Sequence, residues 1–422
     1  MTKRIALMIF GLWLLTACGV PGTPAPTLTP TATSRPTVTP RPTATPTPVS
    51  ICPPQNLAAV WTPPDQFDGY PQAIRAYLAQ GGTTANLLTI LRQASSIDDK
   101  WGGVFSIDLS GDGEPETIVS IVDPFSVDQA GGPSGLLLIY GCENRQVALW
   151  HSNTALRPNP LPRIVQTGNF IAAPRGNQIA VQTESCGAST CFARFDVLGW
   201  DGQALVSLLA EPLELPAGQY QLVQADGDAP IEIQAHEGVN GSIGAGPQRT
   251  ETQLWDWNGA QYVKIKAELS PVEYRIHAIY EADDAFNAGD SQKAIDWYGR
   301  AITDDALKDW LTESGYANAH DRDTLKAYAR FRLLLIGLLR GDENAGDQLS
   351  ALTAEYPAGS PVHRTQQMAQ LLWDKYQATQ NWAETCAAVN QFANAEYQII
   401  DDLGLFGYAN RMYTSDDMCP IK

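Results

Sequence analysis

The side chains best suited to chemistry lie in one acidic stretch, residues 108–116, directly before an apolar run. Alternate positions carry oxygen-bearing side chains, so their oxygens can converge, and Gly113 permits the sharp turn that convergence needs. Calcium takes about six to eight hard oxygen ligands from such a tight loop. The spacing therefore predicts a calcium site formed by Asp108, Ser110, Asp112, Glu114 and Glu116.

A less complete copy of this loop lies further along the chain. Its candidate calcium ligands are Asp226, Asp228 and Glu232, and Ala229 stands where the first loop has its turn glycine. The alternative interpretation of both loops is an acidic turn that binds no ion.

The pattern D-x-S-x-D-G-x-x-E followed by a strand resembles the loops of FG-GAP and VCBS-type repeats, which occur in integrin-like propellers and bacterial surface proteins. It departs from the EF-hand, because Val119 occupies the position of the bidentate glutamate and a strand follows. The resemblance implies β-hairpin repeats that are stiffened by calcium.

Catalytic motifs are incomplete in this sequence. His236-Glu237 begins like a zinc protease motif but lacks the second histidine, and no P-loop, G-x-S-x-G or G-x-G-x-x-G motif occurs. A glycosidase would need two positioned carboxylates, and the sequence leaves Asp226 and Glu237 open for that role. We predict that the protein is not an enzyme.

Length and charge set the broad class. The chain has 422 residues, a net charge of -18 and 44% hydrophobic residues. This length exceeds one ordinary core, so we expect at least two domains. The acidic balance argues against nucleic acid and anionic lipid headgroups as partners, since both require a basic surface.

The N-terminal residues have the form of an export signal. Residues 1–17 place two basic residues before an apolar stretch that is too short to span a bilayer. Leu15-Thr16-Ala17-Cys18 is similar to a bacterial lipobox, which implies a lipidated Cys18 and an exported lipoprotein anchored on the outer face of the cell membrane. An ordinary secretory signal is the alternative. Residues 18–50 continue as a Thr/Pro-rich tract, for which we predict a disordered tether.

Six cysteines remain besides Cys18, an even number that suggests disulfide bonds in an exported chain. The sequence does not determine how they pair. Proximity along the chain favours Cys186 with Cys191 and Cys386 with Cys419, which leaves Cys52 with Cys142.

Hydrophobic periodicity predicts a β domain over residues 51–267. After a short helical segment, apolar residues alternate from about residue 101, and turn signals separate three FG-GAP/VCBS-like units. The last two units end alike, with Trp-Asp-Gly or Trp-Asn-Gly between two strands, which is a strong hairpin signal. Three units are too few to close an ordinary propeller, so we predict a barrel- or sandwich-like bundle of blade-like hairpins.

The period changes to 3.6 residues over residues 268–422. Residues 272–303 resemble a tetratricopeptide repeat, with small residues on two helices around a Gly-Asp turn, although Ala306 replaces the usual proline. Two looser helix pairs follow, and about three pairs make a stable solenoid. The predicted fold class is multidomain α+β, with a β-repeat domain followed by an α-helical solenoid. The alanines and tyrosine that carry the resemblance are Ala282, Ala285, Ala294, Tyr298 and Ala301.

These patterns predict a membrane-anchored, non-catalytic binding or scaffold module, whose helical region binds an unidentified protein or peptide through a concave groove. The alternative is a cell-wall or carbohydrate-binding protein that presents Trp200, Trp255 and Trp257 to its ligand. A hydrolase with a cleft joining two carboxylates is the third interpretation.

Overall fold

Two short helices, thirteen β-strands and eight further helices follow one another in the computed structural model. It describes residues 58–97, 100, 102–126, 133–153, 160–172, 176–316 and 319–421. The predicted signal peptide, the lipidated Cys18, the tether and Cys52 lie outside these residues. All described residues belong to one compact unit, Ser50–Lys422. The chain is therefore a mixed α+β protein with three antiparallel sheets.

Helices α1 (Tyr70–Ala79) and α2 (Thr84–Gln93) precede the first sheet. The Thr83 hydroxyl accepts a hydrogen bond from the Asn86 N–H (3.2 Å), which fixes the start of α2 by satisfying a free backbone donor. Each helix buries an apolar stripe against the first sheet, so this sheet is covered on one face by helices.

The three sheets are antiparallel and follow the chain in order. The first sheet contains β1 (Gly103–Ile107), β2 (Glu116–Val122), β3 (Gly135–Glu143) and β4 (Gln146–Ser152). The second contains β5 (Arg163–Gly168), β6 (Gln178–Cys186), β7 (Cys191–Trp200), β8 (Leu205–Ser207) and β9 (Leu213–Pro216), of which β9 pairs with β7 beside β8. The third contains β10 (Gln219–Val223), β11 (Glu232–His236), β12 (Glu251–Trp257) and β13 (Tyr262–Leu269).

Alternating side chains send the two faces of each sheet into different cores. In β2, Val119 and Ile121 join the core beneath α1 and α2, while Ile118 joins a core shared with the second sheet. On the second sheet, Phe195 and Val197 pack with residues of the third sheet. The period of two along each strand therefore stacks helices, first sheet, second sheet and third sheet in layers.

The helical region begins six residues after β13. Its helices are α3 (Arg275–Asn287), α4 (Ser291–Thr303), α5 (Trp310–Glu313), α6 (Asp321–Arg340), α7 (Gly346–Glu355), α8 (His363–Thr379), α9 (Trp382–Ala395) and α10 (Gln398–Gly404). The small residues predicted to lie between α3 and α4 are buried in one core with the later helices. Among the described residues, no helix has the length and apolarity that a membrane span requires.

The side chain of Arg275 caps the C-terminal end of α4, close to the position where the repeat pattern has a proline. Arg275 is fully buried, and its guanidinium donates hydrogen bonds to the backbone oxygens of Ala301 and Asp304. Its Nε donates to Asp309 Oδ1 at 2.8 Å. Arg275 thus satisfies carbonyls that the helix end leaves free, while Asp309 balances its charge.

A buried carboxylate holds residues 413–418 against the helices. Asp283 accepts hydrogen bonds from the hydroxyls of Tyr298, Tyr328 and Tyr413, and lies 3.5 Å from Arg332 Nε. Burial raises the pKa of all three tyrosines well above the ordinary value, so they remain protonated donors. Arg332 also donates to the backbone oxygens of residues 417 and 418. We call these five side chains the Asp283 network.

Disulfide bonds join Cys186 to Cys191 across the end of the β6–β7 hairpin, and Cys386 in α9 to Cys419. Both pairs are those that proximity in sequence favoured. Cys142 is also disulfide-bonded.

Candidate functional site

The loop between β1 and β2 directs its first carboxylate at its own backbone. Asp108 Oδ1 accepts a hydrogen bond from the Gly111 N–H (2.6 Å), and Oδ2 accepts one from the Gly113 N–H (3.0 Å). Asp112 likewise accepts from the Glu114 N–H at 2.7 Å. These side chains stabilise the turn through hydrogen bonds of the Asx type.

Glu116 closes the same loop from the start of β2. Its Oε2 accepts hydrogen bonds from the backbone N–H groups of Leu109 (2.6 Å) and Ser110 (3.2 Å). The Ser110 hydroxyl donates to Oε1 at 3.2 Å, so both carboxylate oxygens have partners within the protein. Burial raises the pKa of Glu116, and these hydrogen bonds oppose that rise.

The ligand set expected in the first loop therefore does not converge. In the described part of the chain, one group of three acidic, histidine or cysteine ligand atoms lies within 4.8 Å, and it belongs to the third sheet. In the first loop, backbone N–H groups and the Ser110 hydroxyl donate hydrogen bonds to the carboxylates of Asp108, Asp112 and Glu116. Calcium on the residues Asp108, Ser110, Asp112, Glu114 and Glu116 stays a prediction, without support from their geometry.

The second sheet repeats the arrangement with an amide, which sequence reasoning missed. Gln178 opens β6 as Glu116 opens β2, and it is 3% exposed. Its Oε1 accepts hydrogen bonds from the backbone N–H groups of Phe170 (2.7 Å) and Ile171 (3.3 Å). A search for acidic residues misses Gln178 because its side chain is an amide. Its place in the sequence, directly after a loop and at the start of a strand as for Glu116, is the signal that could have identified it.

The third sheet holds the acidic cluster. Glu232 opens β11, and its Oε2 accepts a hydrogen bond from the Ala225 N–H at 2.8 Å. Asp226, Asp228 and Glu232 each bring a ligand oxygen within 4.8 Å of the others. Desolvation, followed by the nearby carboxylates of Asp226, Asp256 and Glu232, raises the pKa of Asp228. Of the two predicted loops, the less complete copy is the one whose carboxylates come together.

A cleft of about 430 Å³ opens where the third sheet meets α3 and the residues after α10. We call it the junction cleft. Two ion pairs lie in it, Arg249 with Glu281 (2.5 Å) and Arg411 with Asp284. The Arg411 guanidinium also lies 5.4 Å from the ring centre of Tyr280. The lining residues are Phe192, Pro216, Glu237, Asn240, Gln248, Arg249, Leu269, His277, Tyr280, Glu281, Asp284, Ala409, Asn410 and Arg411.

The junction cleft contains one carboxylate that sequence analysis had left open for catalysis. Glu237 lines it, and burial raises the pKa of this side chain. Asp226 does not line the cleft, so the two candidates are not brought together there. Burial lowers the pKa of His277. The remaining acids of the cleft, Glu281 and Asp284, already have arginine partners.

The tryptophans considered for sugar binding pack into the protein. Trp255 is 1% exposed and donates its indole N–H to Gln253 (2.9 Å). Trp200 is half-buried and stacks on Trp150, with ring centres 4.8 Å apart. Trp257 is half-buried against Tyr262. Trp255 in particular cannot offer a free face to a ligand.

Exposed apolar side chains lie next to the junction cleft. Leu405, Tyr408 and Met412 are 50%, 60% and 68% exposed. Tyr408 and Met412 directly flank residues 409–411, which line the cleft, and the Tyr408 hydroxyl donates to Asn240 at the cleft wall (3.2 Å). We call Leu405, Tyr408 and Met412 the apolar patch.

Comparison of the chain with protein-family models, with curated proteins and with solved structures finds no match.

Proposed function

We propose that this protein is an exported, membrane-anchored and non-catalytic binding module, which holds a protein partner at the junction cleft and the apolar patch. The observation that carries the proposal is the position of the patch directly beside a cleft of about 430 Å³. Clefts of roughly 300–1,000 Å³ are typical of small-molecule sites. The patch beside the cleft favours a protein partner, because tyrosine and methionine are enriched at protein interfaces. A net charge of -18 favours a partner with basic residues around its apolar contact.

Cysteine usage supports export. All five cysteines among the described residues are disulfide-bonded. Disulfides persist in oxidising compartments and are rare in the cytosol. The lipobox-like Leu15-Thr16-Ala17-Cys18 supports a lipid anchor on the outer face of the membrane.

Binding is favoured over hydrolysis by the pairing of charges in the junction cleft. A general acid or base must be free to exchange a proton with its substrate. Glu281 and Asp284 are held by arginines, and Glu237 accepts a hydrogen bond from the Glu251 N–H at 3.0 Å.

We also propose that the three sheets are copies of one blade-like repeat and that the helices pack as tetratricopeptide-like pairs in a solenoid. Equivalent buried side chains at the starts of β2, β6 and β11 support the first part. The fully buried Ala294, Tyr298 and Ala301 on α4 support the second.

The anchor is tested by Cys18→Ser in the full-length chain. We expect loss of lipidation, because the thiol is the group that is acylated, and transfer of the protein from the membrane to the soluble fraction. Fractionation and mass spectrometry of the N-terminus measure both effects. A variant that stays membrane-bound to the wild-type extent would rule out lipidation at this residue.

The partner surface is tested by the double variant Leu405→Glu/Met412→Glu. The two glutamates should abolish the cross-linking of a partner that is cross-linked to the wild-type protein in native membranes. The reason is that burying an unpaired carboxylate opposes binding. Ile265→Glu is the matched control, since Ile265 is 55% exposed on β13 and does not line the junction cleft. If the double variant and the control cross-link to the same partners as the wild type, the patch is not the binding surface.

A further inference from the structure

We propose that the loop between β10 and β11 binds one divalent cation through the carboxylates of Asp226, Asp228 and Glu232. Their ligand oxygens lie within 4.8 Å of one another. Calcium–oxygen bonds are about 2.3–2.6 Å long, so a single ion placed between these oxygens reaches all three.

Glu232 carries the observation that points to an ion. The residue is 1% exposed, and its Oε1 atom has no hydrogen-bond partner in the described part of the protein. The other oxygen, Oε2, is held by the Ala225 N–H. A buried carboxylate oxygen without a donor is unfavourable unless a cation supplies the missing interaction. The neighbouring carboxylates of Asp226 and Asp228 are placed to hold that cation.

The first loop serves as an internal comparison of the same length. Residues 108–115 and 224–231 each lead to a buried glutamate, which pairs with the last residue of the preceding strand in both hairpins. Six positions before the glutamate, the loop between β1 and β2 has Ser110, whereas the loop between β10 and β11 has Asp226. The Ser110 hydroxyl donates to Glu116 Oε1, whereas an ionised carboxylate has no proton to donate. We infer that this one position decides whether the buried glutamate is satisfied by the protein or by a cation.

Among the described residues, no ion pair balances the negative charge of the loop between β10 and β11. Within the described ranges, Asp226, Asp228 and Glu232 take part in no ion pair with Lys, Arg or His. Gln224 occupies the position of Asp108, and its Nε2 donates to the Asp228 backbone oxygen at 2.7 Å. The amide therefore braces the turn, as does Asp226, whose Oδ1 accepts a hydrogen bond from the Asp228 N–H at 3.0 Å. The observation that separates the two loops is the unpartnered Oε1 of Glu232.

The ligand chemistry selects a hard cation. All three donors are carboxylate oxygens, with no histidine or cysteine in the cluster, which favours calcium over zinc or copper. Asp226 and Asp228 are exposed, so water can complete the coordination shell of the flexible kind that calcium accepts and magnesium does not.

Calcium titration of the full-length, chelator-treated protein by isothermal calorimetry tests the site. We expect one calcium per chain. Asp226→Ser should raise the Kd by more than about 100-fold, since loss of a direct ligand exceeds the roughly 10- to 100-fold effect of outer partners. The introduced hydroxyl can donate to Glu232 as Ser110 donates to Glu116, so this variant should melt no lower than the wild type in chelator.

The reciprocal change is Ser110→Asp, which should add a second calcium site by removing the donor to Glu116. Asp112→Ala is the control in the first loop and should leave the wild-type stoichiometry and Kd unchanged.

Magnesium in place of calcium should bind more weakly to the wild type. A wild-type chain that binds no calcium at millimolar concentration, or an Asp226→Ser variant that binds it equally well, would overturn the site. A single site in Ser110→Asp would overturn the role of this position.

Discussion

Asp283→Asn is expected to destabilise the protein by about 3–5 kcal/mol, the usual cost of removing one partner from a buried ion pair. The substitution keeps the shape of the side chain but removes the charge that balances Arg332, which is 1% exposed. It also leaves three tyrosine hydroxyls to share one amide oxygen. Urea unfolding followed by far-ultraviolet circular dichroism measures the loss.

Asp284→Asn is the matched control for this prediction. The Asp284 side chain is 67% exposed and pairs with Arg411 at the surface, so its loss should cost less than about 1 kcal/mol. Adding Arg332→Met to Asp283→Asn should recover part of the loss, because both charges are then gone. Equal stability of the Asp283 and Asp284 variants would contradict a central role for the Asp283 network.

Ala294→Arg is expected to cost several kcal/mol, because it forces a long charged side chain into a fully buried position where α4 packs on α3. The close approach of the two helices leaves no volume for the guanidinium, and it finds no designated partner there. Thermal melting of the full-length protein, followed by the helical circular dichroism signal, should show a lower midpoint.

Gln292→Arg introduces the same side chain two positions earlier on the exposed face of α4. Surface substitutions of this kind usually change stability by less than about 0.5 kcal/mol. If the Ala294 variant melted like the Gln292 variant, the register assigned to α4 would be wrong.

Local patterns were sufficient to predict much of the fold. The Asp-Gly and Asn-Gly turns predicted hairpins, and Gly202 and Gly259 adopt the positive φ values of 103° and 96° that such turns need. The 3.6-residue spacing of Ala294, Tyr298 and Ala301 predicted one buried stripe, and each is 0% exposed. These features depend on neighbours in sequence, which is why the sequence contains them.

The candidate site was predicted less well, because spacing does not give the direction of a side chain. Asp108 had the position of a calcium ligand, yet its oxygens turn to backbone N–H groups of its own loop. The missing turn glycine makes the loop before Glu232 the less complete match in sequence, yet Glu232 is the residue whose buried oxygen lacks a hydrogen-bond partner among the described residues. The junction cleft brings Glu237 and Arg411 together from distant parts of the chain, and local patterns have no access to such contacts.

The Asp283 network has a consequence for the order of events during biosynthesis. Arg332 lies in α6, but two of its acceptors belong to residues 417 and 418, and Tyr413 completes the shell around Asp283. Ribosomes add residues 417 and 418 after the arginine by 85 and 86 positions. Until they emerge, the Arg332 guanidinium has Tyr298 and Asp283 as partners but lacks its two backbone acceptors, so we expect α6 to be less stable before residues 413–418 have been made. Truncation before Tyr413 should therefore leave a chain that stays dependent on chaperones.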